Sequence, residues 1–305
     1  MIWKKLGLIF RPDSHKPWMF SHACLPVPMR IAEDAFRVFF ASRDNQNCAH
    51  VGFFDLRLRE PFQVLRVSAN PVLAPGPLGT HDEHGVYPSS IVLWEGRYYL
   101  YTSCWLRGER PSMNYNSIGL AISDDGERFY RYSVAPIMAR SEYDPCFVAM
   151  PTVRLEDGRW RMWYSSGYRW TDVGGVLASY YKIKLAESPD GVNWKPTGHV
   201  AIEHASEDER NIARAWVMKD RRGYRAWYAF NRGPGYRIGY AESDDGLSWQ
   251  RQDHRAGIQL SQSGWDSQMI AHPAIVQQDG RWFMFYNGNH YGKDGVGLAV
   301  AESLE

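Results

Sequence analysis

The chain has 305 residues, 35 Lys+Arg against 34 Asp+Glu, and a formal charge of +1. That length can bury a large core, and the balanced charge excludes nucleic acid and membrane surfaces as general partners. The opening MIWKKLGLIFRPD is too short for a signal peptide or a membrane span, and the four cysteines (Cys24, Cys48, Cys104, Cys146) lack CxxC spacing, so buried free thiols and a cytoplasmic address are expected.

After IWKKLGLIF (2–10), which matches no later segment, a pattern repeats along the chain. LPVPMRIAEDAFRVFFASRD (25–44), YPSSIVLWEGRYYLYTSC (87–104), MPTVRLEDGRWRMWYSSG (150–167), RAWVMKDRRGYRAWYAFN (214–231) and HPAIVQQDGRWFMFYNGN (272–289) each read as strand, tight turn, aromatic-rich strand. Their second residues fall at 26, 88, 151, 215 and 273, at intervals of 62, 63, 64 and 58. A third strand follows in phase, and in the middle units it ends in S-x-D-G-x-x-(W/F): SDDGERF (123–129), SPDGVNW (188–194) and SDDGLSW (243–249). Asp and Gly suit a hairpin turn, and the closing aromatic is expected to wedge between neighbouring units.

The expected fold is therefore all-β: one five-bladed β-propeller domain over residues 1–305, four antiparallel strands per blade. The last unit has only three strands, so the N-terminal segment is expected to join the last blade and close the ring. Thirteen tryptophans and eighteen tyrosines favour strands and also a sugar-binding surface.

In such a blade, the connections entering the first strand and the loops joining the second and third lie on one face. The opposite turns are plain (WEGR, LEDGR, QDGR), whereas this face is rich in charge, so function is expected here. GTHDEHGVYP (79–88) is the densest case and is expected at the rim of the central pocket. Asp82, Asp144, Asp208 and Asp266 recur six or seven positions before each reference residue, which suggests a repeated structural task. Glu83, Glu209, Asp44 and His84 break the pattern and are the stronger ligand candidates. His22 and His272 are candidates either for packing around the pore or for serving an axial metal ion or water cluster. No tight transition-metal motif is present.

Five such blades, with acidic groups leading into inner strands, resemble the propeller glycosidase superfamily of arabinanases, β-xylosidases, invertases and mannoside phosphorylases. The segments SHACLP (21–26), FFASRD (39–44), DEHGVYPS (82–89), YYKIKLAESPDGVNW (180–194), YRIGYAESDDGLSW (236–249) and FYNGNHYG (285–292) are more similar still to bacterial glycosidase-like propellers of polysaccharide and glycoconjugate pathways. The resemblance implies a glycoside hydrolase-like enzyme. Arabinanase-like members place a catalytic Asp just before the proline of an inner strand, but Leu25, Tyr87, Met150 and His272 stand there in this chain. The W-M-N-D motif of invertases is absent, and Ser42-Arg43-Asp44-Asn45 keeps only the R-D pair of their R-D-P motif.

Hydrolysis needs two carboxylates with separated pKa values. Glu83 and Glu209 are the expected pair, spaced for inversion at roughly 6.5–9.5 Å, with Asp144 tuning one of them and Asp44 a substitute. Trp105, Tyr168 and Trp170 would stack on a sugar. Arg43, Arg110, Arg214 and Arg232 suggest a small saccharide that is anionic, phosphorylated or nucleotide-linked. Two alternatives stay open: a phosphorylase or glycosyl transferase, and a non-catalytic propeller that binds a glycan or a protein.

Overall fold

The computed structural model describes residues 1–110 and 112–304. The chain forms β1 (Lys4–Phe10) and then a series of antiparallel meanders. The first comprises β2 (Ser21–Arg30), β3 (Ala35–Arg43), β4 (Ala49–Arg57) and β5 (Gln63–Val67). The second comprises β6 (Val86–Trp94), β7 (Arg97–Arg107), β8 (Asn114–Ser123) and β9 (Tyr130–Arg131). Two more follow: β10 (Phe147–Glu156), β11 (Arg159–Val173), β12 (Val176–Ser188) and β13 (Lys195–Ile202), then β14 (Asn211–Asp220), β15 (Gly223–Asn231), β16 (Arg237–Ser243) and β17 (Gln250–Arg251). A single parallel pairing, Tyr181 with Asn211, joins these two into one eight-stranded sheet. The last sheet is β18 (Ala271–Gln278), β19 (Arg281–Asn287), β20 (Val296–Ala301) and then β1, which lies antiparallel to β20. Among the described residues, no helix is long and apolar enough to cross a membrane.

Alternating apolar residues leave each meander with two greasy faces, and five apolar clusters form where one meander meets the next. Phe39 and Phe53 pack with Val86 and Leu100, Tyr101 and Ile118 with Val153 and Met162, and Trp163 and Leu185 with Val217 and Tyr228. Trp227 and Tyr240 pack with Ile275 and Met284, and Phe283 and Leu298 pack with Phe36 and Phe54 of the first meander. The opening strands touch in turn: β2 meets β6, β6 meets β10, β10 meets β14, β14 meets β18, and β18 meets β2.

The S-x-D-G turns perform the same task three times. In each, the serine hydroxyl accepts the glycine N–H at 2.9 Å and the aspartate accepts the next two N–H groups. The glycines sit at φ 69, 76 and 74, where a Cβ would be strained. Each turn also accepts, at its glycine carbonyl, a hydrogen bond from the preceding meander: Arg37 at 2.9 Å, Tyr101 at 2.8 Å and Trp163 at 2.9 Å. The closing aromatics wedge as expected. Phe129 meets Phe39, Trp194 meets Tyr101, and Trp249 meets Trp163 at centroid distances of 5.4, 6.0 and 6.4 Å.

Candidate active site

Every opening strand carries a register shift near its start: between Cys24 and Val27, Pro88 and Ser90, Ala149 and Thr152, Ala213 and Trp216, and Ala271 and Ala274. Bulges of this kind re-aim a side chain and recur beside functional sites. Four residues at these bulges take left-handed backbone: Leu25 (φ 51), Met150 (φ 49), Arg214 (φ 48) and His272 (φ 55). Such backbone costs on the order of 1–3 kcal/mol for a residue with a side chain, so it must be held in place. A neighbouring meander holds three of the four. The Met150 N–H donates to Ser103 Oγ (3.0 Å), Arg214 N–H to Ser165 Oγ (3.4 Å) and Leu25 N–H to Asn287 Oδ1 (2.9 Å).

Leu25, Met150 and His272, with Tyr87 from the second meander, border a cavity of about 350 Å³. Its walls are aromatic (Trp105, Tyr181, Tyr236, Tyr291) and polar (Arg43, Asn47, Asn114, Asn116), and among the described residues they contain no carboxylate. Arg43 binds Asn47 at 3.0 Å and the Tyr87 hydroxyl, while among the described residues neither its Nε nor the buried Trp105 indole N–H has a partner. The hydroxyls of Tyr181 and Tyr236 bond to one another. Burial pushes the Tyr87 hydroxyl up to about 12 and the adjoining Cys24 thiol up to about 11.

His272 is held in one tautomer. Asn287 donates both amide hydrogens, to Ala23 O at 2.8 Å and Gly295 O at 3.0 Å. Its Oδ1 therefore faces His272 Nδ1 at 3.1 Å as an acceptor, so Nδ1 carries the proton and Nε2 is the ring's acceptor. Burial, with Arg214 and Arg43 adding to it, lowers His272 to about 4, against the opposing bond to Asn287. The ring is neutral at pH 7. His22, at φ 65 and bonded to Ser21 Oγ at 2.9 Å, is lowered to about 4 by burial and then by Arg43 and Lys293.

The structure brings only part of the expected set to this cavity: Arg43, Trp105 and His272. His84 packs beside Trp105 at 6.1 Å, where the stretch GTHDEHGVYP closes on it; a Cβ on Gly85 would meet Trp105 Nε1 at 2.2 Å. Glu83 caps its own loop, accepting Gly79 N–H at 2.8 Å, and Asp44 closes a turn while pairing with His50 at 3.0 Å. Both carboxylates act electrostatically on Cys48, the chain neighbour of the wall residue Asn47, and neither lines the cavity.

Asp144 is 0 % exposed and accepts from Ser141, Tyr164 and Ser166, with Lys184 at 3.6 Å. Glu209 is 1 % exposed and is gripped by both terminal nitrogens of Arg251 at 2.8 and 3.0 Å, with Arg232 at 4.0 Å. These two match Asp82, bound to Arg131 at 2.6 Å, and Asp266, bound to Lys5 at 2.6 Å. One buried acid thus ties down the entry to each of four meanders. In the fourth it is Glu209, and Asp208, expected there from the repeat, is exposed.

Tyr168 and Glu209 border a separate cavity of about 590 Å³. Trp170 packs on Phe147 at 6.0 Å, and Arg110 pairs with Asp172 at 2.5 Å. Arg214 is fully buried. Among the described residues, the group able to hold a metal ion is His81, Asp82 and Cys104, away from His272. Its members are already engaged, with Ser117, Arg131 and Thr102 respectively. Sequence reasoning did not single out Tyr181, Tyr236, Tyr291, Asn114 or Asn116, which only the chain's path brings together.

No family model matches the sequence. The uncharacterized protein Rv1502 of Mycobacterium tuberculosis is 39% identical over 303 residues, spanning 99% of this chain and 100% of that protein. The chain belongs to the Rv1502 family. A more distant relative, 27% identical over 229 residues, is the 1,2-beta-oligomannan phosphorylase of Thermoanaerobacter sp. (strain X514), covering 73% of this chain and 70% of that one. Among solved structures, a glycoside hydrolase superposes with a TM-score of 0.77 at 16% identity, covering 98% of this chain and 91% of its own. A structure from work on GH130 mannoside phosphorylases and hydrolases superposes with a TM-score of 0.70 at 14% identity, over 99% and 94%. The Rv1502 family thus has the fold of the glycosidase-type propellers.

Proposed function

We propose that this chain is a five-bladed, ring-closed propeller enzyme of the glycoside hydrolase and phosphorylase type, cleaving a small saccharide in the axial cavity by transfer to phosphate. One observation carries this reading: among the described residues, the cavity wall joins aromatic faces to a partly unpaired guanidinium, Arg43, and contains no carboxylate. Aromatic faces suit a sugar ring, and guanidinium suits an anion. Hydrolysis needs two carboxylates at the bond; Asp144 and Glu209 are engaged in buried contacts, and Glu83 and Asp44 are not part of the cavity wall. Phosphorolysis needs one proton donor. A phosphate oxygen bonds to the anomeric carbon as the glycosidic C–O bond breaks, and the leaving oxygen takes a proton. Glu83 or Asp44 is assigned to supply it. Neutral His272 accepts a sugar hydroxyl at Nε2. The similarity to the oligomannan phosphorylase supports a β-1,2-mannoside as the first substrate to try.

The test is incubation of purified protein with β-1,2-mannobiose, with and without inorganic phosphate, followed by mass spectrometry. A sugar phosphate formed only with phosphate, and lost in Arg43→Met, is the expected result. Free mannose released without phosphate would make the chain a hydrolase. Saturable binding without turnover would make it a binding propeller. A parallel screen of sugar phosphates and sugar nucleotides covers the transferase alternative.

A further inference from the structure

Arg214 occupies the fourth of the left-handed bulge positions, yet it does not border the axial cavity as Leu25, Met150 and His272 do. Its side chain is 0 % exposed. The guanidinium crosses to the first meander, where Nη2 donates to Pro26 O at 2.9 Å, and it lies 5.4 Å from the centre of the Trp216 ring. Trp216 borders a second cavity, of about 280 Å³, together with Ile91, Val153 and Ile275 from farther along the opening strands. Ala213 borders the first cavity and Trp216 the second, so Arg214 stands between them along its strand and lines neither.

Among the described residues, its other two nitrogens, Nε and Nη1, are buried without a partner and no carboxylate pairs with it. Burial pulls it down to about 9, so it is still charged at neutral pH. A buried, uncompensated cation with two bare N–H groups is among the most costly arrangements a core can hold. Water would satisfy the hydrogen bonds but leave the charge. A metal ion would add to it, and His272 alongside is neutral.

We propose that Arg214 holds a monovalent inorganic anion of the halide class in the core between the two cavities. One positive charge matches one negative charge. Phosphate would bring more charge and oxygens that no local donor meets. The site is independent of what the axial cavity above it binds.

Crystals of the unaltered protein grown in sodium bromide, measured at the bromine edge, test this directly. The expected result is an anomalous peak in contact with Nε or Nη1. In solution, Tm should rise to a plateau as chloride replaces methanesulfonate at constant ionic strength, and Arg214→Met should abolish that rise. No anomalous peak at the guanidinium would overturn the proposal whatever the thermal data, and it decides alone if Arg214→Met does not fold. Equal Tm in chloride and methanesulfonate would overturn it as well.

Discussion

Glu209→Gln separates two tasks that one carboxylate could perform. Glu209 accepts Ala205 N–H at 2.7 Å and both terminal nitrogens of Arg251, which also reaches Asp253 at 2.6 Å. Glutamine keeps one acceptor oxygen, but it turns an amide NH₂ towards the guanidinium or towards the Ala205 N–H. Breaking a buried pair from one side costs about 3–5 kcal/mol. Asp253 still compensates Arg251, so the lower end, about 3 kcal/mol, applies. With an unfolding entropy of about 2.1 cal/mol/K per residue, a chain of this length loses about 5 °C of Tm. Calorimetry reads the shift directly, and sugar-phosphate formation is then assayed well below the variant's transition. The structure predicts a lowered Tm with turnover retained in the folded protein. An unchanged Tm with turnover lost would refute this account and put Glu209 at the reacting bond.

Other outcomes follow from the same geometry. His272 titrates near 4 when folded and near 6.5 when unfolded, so the unfolded chain binds more protons between those values. Stability from this residue is complete above pH 6.5 and falls by about 3 kcal/mol as pH drops to 4; urea unfolding at stepped pH should show that loss in the wild type and a shallower one in His272→Gln. Ser103→Ala removes the acceptor that holds Met150 in left-handed backbone and should cost about 1–2 kcal/mol in the same assay. Gly191→Ala combines φ 76 with a Cβ at 2.9 Å from the Tyr101 hydroxyl and 3.0 Å from Trp160, so Tm should drop by several degrees, while Gly158→Ala, with nothing within 4 Å, should cost only the backbone strain.

Much of the scaffold was legible because its determinants are local. The S-x-D-G-x-x-(W/F) turns satisfy their own backbone within seven residues, and that spacing is visible in the sequence. The site was less legible because its determinants are not local. Asp208 and Glu209 are neighbours with the same charge, and only the path of the entry loop decides which one turns inward to Arg251. Arg214 and Arg43 look alike in sequence, yet one lies beneath the floor and the other in the wall. Tyr181 and Tyr236 come from different meanders and meet only after both have folded. The left-handed positions follow no rule of side-chain type, since Leu, Met, Arg and His occupy them, although proline follows three of the four.

The pairing of β1 with β20 has a consequence for how the molecule is made. β1 leaves the ribosome on the order of tens of seconds before β20, its hydrogen-bonding partner, at ordinary elongation rates. Until then Lys5 lacks Asp266, and an unpaired edge is open to any passing strand. Chaperone demand during synthesis, rather than thermal stability of the finished protein, should therefore govern how well this chain accumulates in a heterologous host.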